Sequence, residues 1–218
     1  MTTYRIQLNR KTAQSSICDR NESCAIQVSV GSKSYEGEKL ADLLEWSAKR
    51  YHYIILLIND MPQRHNIGEH LLNAIEKVED YGRKWIDRNQ YILSNFSMLK
   101  IITSSTWLLH WQFKNVRECI HTAINNHSEL NNAISHDTLE YHKRNKIDQT
   151  FYSIAQGRRF IIEELIIMEL QTRYFDWDYI HAGGQLLSLR VVEDMDYIGL
   201  QLKYRCGYYV TFRKIKHH

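Results

Sequence analysis

One stretch, residues 24–66, constrains this chain most: CAIQVSVGSKSYEGEKLADLLEWSAKRYHYIILLINDMPQRHN. The pattern predicts a strand over residues 25–30, ending in a turn that carries Ser29, Gly31 and Gly37. Leu40, Leu43, Leu44 and Tyr51 then follow helical spacing, so residues 36–52 read as a helix with Trp46 at the edge of its apolar face. A second apolar strand covers residues 53–58 and ends at Asn59-Asp60. Strand, helix, strand is a βαβ unit, and such units take ligands at the carboxyl ends of their strands. Ser29 stands at that end. Taken alone, a serine there is a turn former.

The remaining chain continues the alternation. Residues 4–8 read as a short peripheral strand and residues 9–22 as a loop. A long helix is predicted over residues 67–93, with Leu71, Leu72, Ile75, Val78, Trp85 and Ile86 as its apolar stripe and Gly82 as a kink or break. Leu99–Thr103 reads as a third strand running into Ser104-Ser105, and residues 107–129 as one or two helices. Residues 131–148 are polar and carry no assignment. Residues 151–170 form a helix that puts Phe160 and Glu164, four apart, on one face. A fourth strand, Asp178–Ala182, runs into Gly183-Gly184, and the tail over residues 196–215 reads as two β segments joined near Cys206-Gly207. Apolar strands alternating with helices predict a single Rossmann-like α/β domain over residues 1–218, with a mainly parallel sheet flanked by helices.

Composition narrows the function classes. With 44% hydrophobic residues in 218, the chain can bury a core. No apolar run approaches the roughly 18 residues that span a bilayer, and Met1-Thr2-Thr3-Tyr4 opens no signal peptide, so a cytoplasmic protein is expected. Cys18, Cys24, Cys119 and Cys206 fall in no CxxC pair; reduced thiols are expected rather than a disulfide or zinc framework. A net charge of +3 is too mild to demonstrate a nucleic-acid partner. The basic clusters at residues 142–146, 158–159 and 213–216 read first as solvated surface. No P-loop, GxGxxG, HExxH or GxSxG motif occurs, which disfavours ATP chemistry and a hydrolase elbow.

A set of motifs in fixed order carries more information. It runs Ser29-Val30-Gly31, Tyr35-Glu36-Gly37-Glu38-Lys39, Leu44-Glu45-Trp46, then Asp60 followed by Gln63-Arg64-His65-Asn66. Gly82-Arg83-Lys84-Trp85, Arg88-Asn89, residues 107–113 and Phe160-Ile161-Ile162-Glu163-Glu164-Leu165 follow. Over residues 24–184 this series resembles the tRNA-dependent cyclodipeptide synthases, in particular the subgroup lacking an asparagine three residues after the nucleophilic serine; Ser32 holds that position here.

The resemblance implies a domain similar to the catalytic domains of class I tyrosyl- and tryptophanyl-tRNA synthetases, acting without ATP, metal or other cofactor. It implies an aminoacyltransferase that uses two aminoacyl-tRNAs in sequence; a monomer is the default expectation. The first aminoacyl group passes to Ser29, a second aminoacyl-tRNA reacts with that ester, and the dipeptidyl ester cyclises to a diketopiperazine. Exchanging a ribose ester for a serine ester is like for like, and covalent catalysis divides one condensation into easier transfers. Glu164 matches the family's amine-handling glutamate, while Glu163 lies about 100° round the helix and reads as structural or solvent-facing.

Departures accompany the match. Phe160 stands where the family has a tyrosine, His181 aligns with a second tyrosine, Ala182 with a proline, and Gln27 with a glycine. His181 is read as a proton relay or as a hydrogen-bonded strand residue. Gln27 is read as placing an amide by the first amino-acid pocket or as a plain strand residue. Gly31, Ser32, Arg64 and Asn66 are the remaining candidates for substrate contact, with helix capping an equal reading for residues 64–66. Lys77, Arg83, Lys84 and Arg88 resemble the basic helix the family lays on the tRNA acceptor arm, and a solvated face explains them as well. Two other functions stay open: a catalytically impaired relative that binds tRNA, and a transferase passing the same acyl group to a different acceptor.

Overall fold

The computed structural model describes residues 4–11, 22–30, 32–67, 71–182, 186–195, 199–204 and 207–215, with backbone alone at 9–11, 71, 151, 152, 203 and 204. Six strands form one sheet: β1 (Tyr4–Lys11), β2 (Ser23–Ser29), β3 (Tyr53–Asn59), β4 (Leu99–Thr103), β5 (Asp178–Ala182) and β6 (Gly207–Lys214), in the order β1-β6-β5-β2-β3-β4. All neighbours pair in parallel except β1, which closes one edge antiparallel to β6. This is the mainly parallel α/β fold that the alternation of apolar strands and helices predicts.

Helices cover both faces. Ile26, Val28, Leu56 and Ile58 pack on one face against α1 (Gly37–Ala48) and α2 (Leu71–Leu93). Ala25, Ile55, Leu57 and Tyr179 pack on the other. There they meet α3 (Ser105–Leu108), α4 (Phe113–Asn126), α5 (Ser128–Asn145), α6 (Phe151–Tyr174) and α7 (Leu187–Asp194). The strands are apolar on both sides because both sides are covered. Each fully buried Leu or Ile contributes about 1.5–3 kcal/mol of transfer free energy. The strand order reverses at β2, where the chain proceeds to β3 and β4 on one side and returns to β5 and β6 on the other. A ligand crevice belongs at such a point.

Several elements differ from expectation, each for a local reason. The helix predicted over residues 36–52 ends at Ala48, where the chain turns so that Tyr51 donates its hydroxyl to Asp178 Oδ2 at 2.7 Å. β1 runs on to Lys11, into the predicted loop. Gly82 does not divide α2; a Cβ there would stand 2.6 Å from Asp60 Oδ2, so the helix needs glycine for close approach. Leu72 faces solvent rather than joining the apolar stripe. Among the described residues the first tail segment holds no strand: Gln201–Tyr204 is a 3₁₀ turn whose Gln201 and Leu202 amides donate to the buried Glu169 carboxylate at 3.1 and 2.7 Å, rather than to a ladder.

The unassigned stretch 131–148 is mostly α5. Its inward stripe of Leu130, Ala133, Ile134, Asp137, Thr138 and His142 has helical spacing, but half of it is polar. Asp137 accepts from the amides of Leu187 and Ser188, both at 2.8 Å, and so caps α7 from another element. Helix α6 starts on a capping box: Ser153 N–H donates to Thr150 Oγ1 at 3.1 Å and Thr150 N–H to Ser153 Oγ at 3.0 Å.

Candidate active site

Strand alternation puts Ala25, Gln27 and Ser29 on one face of β2, and Ala25 shares a core with Phe160 and Ile161 of α6. Parallel register sets Ser29, the last residue of β2, beside Asn59, the last of β3. From that position Asn59 Nδ2 donates to Glu164 Oε1 at 3.2 Å. The hydrogen bond draws a carboxyl from α6 to the strand end where the serine stands. Ser29 and Glu164, 135 positions apart in sequence, are thus both tied to Asn59 at the carboxyl ends of the strands, one by register and the other by a hydrogen bond.

Two adjacent glutamates have opposite electrostatics. Burial pushes the Glu164 carboxyl up to about 7; the Asn59 bond opposes this, and the charges of Asp137 and Glu163 add to it. Glu163, one residue earlier, is also buried, which raises it. His65, 3.4 Å away, and the Arg64 guanidinium outweigh that and hold it below the usual carboxylate range. Arg64 grips Glu163 with both terminal nitrogens and also donates to Met61 O at 2.8 Å. Glu163 is therefore a structural anchor between α6 and the turn after β3.

That turn is fixed from below as well. Asp60 is buried and accepts from Met61 N at 2.8 Å and Ser104 Oγ at 2.6 Å, tying the end of β3 to the end of β4. Asn66 donates to Gln63 Oε1 at 3.3 Å. Ser32 N–H donates to Ser29 O at 3.0 Å, and Ser32 Oγ accepts from Ser34 N at 3.4 Å, so Ser32 shapes the turn that follows the nucleophile candidate. Gly31 lies outside the described residues. A cavity of about 390 Å³ opens beside this turn, lined by Val30, Asp60, Asn66, Arg88 and Tyr141 among others. A volume of that order accommodates a small ligand.

The other candidates have the following places. Gln27 is buried on the Ser29 face, and its Nε2 has no hydrogen-bond partner among the described residues. His181, on β5, lies between the rings of Tyr179 and Tyr209 at 6.3 and 5.0 Å, nearly parallel to both. Phe160 is buried and stacks on Tyr141 at 5.6 Å. Lys77, Arg83, Lys84 and Arg88 are all exposed on α2; Lys84 pairs with Asp80 at 2.6 Å and Arg88 with Glu36 at 3.3 Å. Arg88 also lines the cavity, so the basic face of α2 reaches the site. Among the described residues no group of three or more His, Cys, Asp or Glu is placed to hold a metal, and no helix is long and apolar enough to cross a membrane.

Three residues near the site carry no assigned role in the sequence. Asn59 was legible as a polar end to an apolar strand, but its partner Glu164 lies 105 residues away. Tyr35 accepts from Ala182 N at 3.0 Å; burial, with Glu164's charge adding, pushes its hydroxyl up to about 12. Tyr141 sits in the stretch without an assignment.

No protein-family model and no curated protein sequence matches the chain. Solved structures do. A cyclodipeptide synthase from Fluoribacter dumoffii superposes with a TM-score of 0.86 at 17% identity, covering 99% of this chain and 100% of that one. A cyclodipeptide synthase from Candidatus Glomeribacter gigasporarum, bound to Phe-tRNAPhe, gives 0.65 at 15% identity over 94% and 93%. Tyrosyl-tRNA synthetase from Archaeoglobus fulgidus, complexed with L-tyrosine, gives 0.58 at 15% identity, covering 91% of this chain and 57% of that one. At such identities the likeness is one of fold.

Proposed function

We propose that this chain is a tRNA-dependent cyclodipeptide synthase in which Ser29 carries the first aminoacyl group. The observation that carries the reading is the convergence of Ser29 and Glu164 at one strand end through Asn59, in a carboxyl environment tuned to about 7. End-to-end likeness in fold to cyclodipeptide synthases supports it.

Ser29 Oγ attacks the ester carbonyl of a charged tRNA; the terminal ribose oxygen leaves and takes up the proton the serine gives. Two α-amines then attack two ester carbonyls, one on Ser29 and one on a second aminoacyl-tRNA. Two amides replace two esters, the second ribose hydroxyl is released, and the Ser29 hydroxyl returns. No ATP enters, because the ester supplied by the tRNA is already activated relative to an amide.

Each amine must lose a proton. Its ordinary pKa is about 7.7–8.0, within about a unit of Glu164, so transfer between them is nearly balanced near neutral pH. The orphaned Gln27 amide favours a polar side chain on the first amino acid, since an unpaired buried amide costs about 1–3 kcal/mol. Exposed Lys77, Arg83, Lys84 and Arg88 give the tRNA backbone a non-specific track.

Expression in a bacterial host, with mass spectrometry of the medium, tests the product. A cyclic dipeptide absent from a Ser29→Ala strain is expected. Acylated small molecules in its place would identify a transferase with another acceptor. Tight binding of charged tRNA with no new product would identify an impaired relative.

A further inference from the structure

Helices α5 and α6 meet along a seam of residues three or four apart. At Gly157 a Cβ would stand 2.7 Å from Thr138 Cγ2 and 2.8 Å from His142 Nε2, so glycine lets the two helices close. Arg158 fastens the same seam, donating to Ser135 Oγ at 2.6 Å and Asn131 Oδ1 at 2.8 Å. One turn further along α6, Phe160 stacks on Tyr141 with ring centroids 5.6 Å apart and planes 30° apart. The next turn carries Glu164. Tyr141 lines the cavity together with Val30, the residue after Ser29, and with Asp60 and Asn66.

We propose that Tyr141 is a catalytic residue of this site, its phenol donating a hydrogen bond to the carbonyl oxygen of the aminoacyl ester as negative charge develops there. The assignment rests on the reading of Ser29 as the acylated residue. Three observations carry it: the side chain borders the cavity, the Phe160 stack fixes its ring plane, and the Gly157 contact fixes its helix. Burial raises its hydroxyl above the ordinary range and the charge of Glu164 adds to this, with Arg144 opposing. The phenol is therefore protonated at neutral pH and lies within electrostatic reach of Glu164. No proton leaves it in the step; the donor is placed in advance, which is what makes such groups effective.

Tyr141→Phe removes the hydroxyl and keeps the stack. Single-turnover acylation of Ser29 by charged tRNA, followed by intact-protein mass, should slow by about 10²-fold in that variant, with the melting temperature within a degree or two of the parent. Acylation within about twofold of the parent overturns the assignment while leaving Ser29 in its role. A loss of melting temperature that accounts for the loss of rate also overturns it, by making the hydroxyl structural. A parent that never acylates Ser29 overturns both readings, and the parent trace alone distinguishes that case.

Discussion

Glu163 and Glu164 are neighbours in sequence, yet about 100° of helix separates a carboxylate held by Arg64 and His65 from a carboxyl pushed up to about 7 by burial. Their variants should behave oppositely. With the Glu164 pKa raised, the folded state binds more protons than the unfolded chain between about 4.5 and 7. Its ionisation therefore costs stability as pH rises through that window, by about 3 kcal/mol at most. Glu164→Gln should abolish diketopiperazine formation yet leave the fold more resistant to urea at pH 8 than the parent, with the advantage gone at pH 4. Parent activity should fall as pH drops below about 7, where the carboxyl takes up its proton. Glu163 has the reverse linkage, since its lowered pKa gives stability that is present near neutrality and lost on acidification. Arg64→Ala strands that charge and should cost about 3 kcal/mol in urea unfolding at pH 7, shrinking as the pH falls through the Glu163 range.

At the scale of elements, the inner strands were legible because parallel strands covered on both faces carry continuous apolar runs, as β3 does from Ile54 to Ile58. Helix α6 was legible for its length and for the apolar residues that recur along it. Helix α5 was not, because its inner stripe includes Asp137, Thr138 and His142, whose burial makes sense only against α6 and α7. The same blindness hid Tyr141. Helix α7 was missed because the group that caps it, Asp137, lies fifty residues back in the chain. Ser29 and Glu164 were named from ordered motifs, whereas Asn59, which joins them, depends on strand register that no local pattern reports. The seam that positions Tyr141 makes its own prediction. Gly157→Ala should destabilise the protein by about 1–3 kcal/mol, because the added methyl overpacks α5 against α6. Thermal unfolding measures the loss, and Ala at the exposed Arg159 of the same helix serves as the control.

At the scale of the molecule, the net charge is only +3, but α2 presents Lys77, Arg83, Lys84 and Arg88 to solvent, and Arg88 borders the cavity. Changing all four to Gln should weaken tRNA binding at low salt and flatten the salt dependence, each lost phosphate contact reducing the log–log slope by about one. An unchanged slope would move the tRNA to another face. One covalent event, acylation of Ser29, is decisive. Incubating the protein with a mixture of charged tRNAs and weighing it intact should show a gain equal to one aminoacyl group, mapped to Ser29 by peptide sequencing and absent from Ser29→Ala. No gain with any charged tRNA, or a gain that persists in Ser29→Ala, would contradict it.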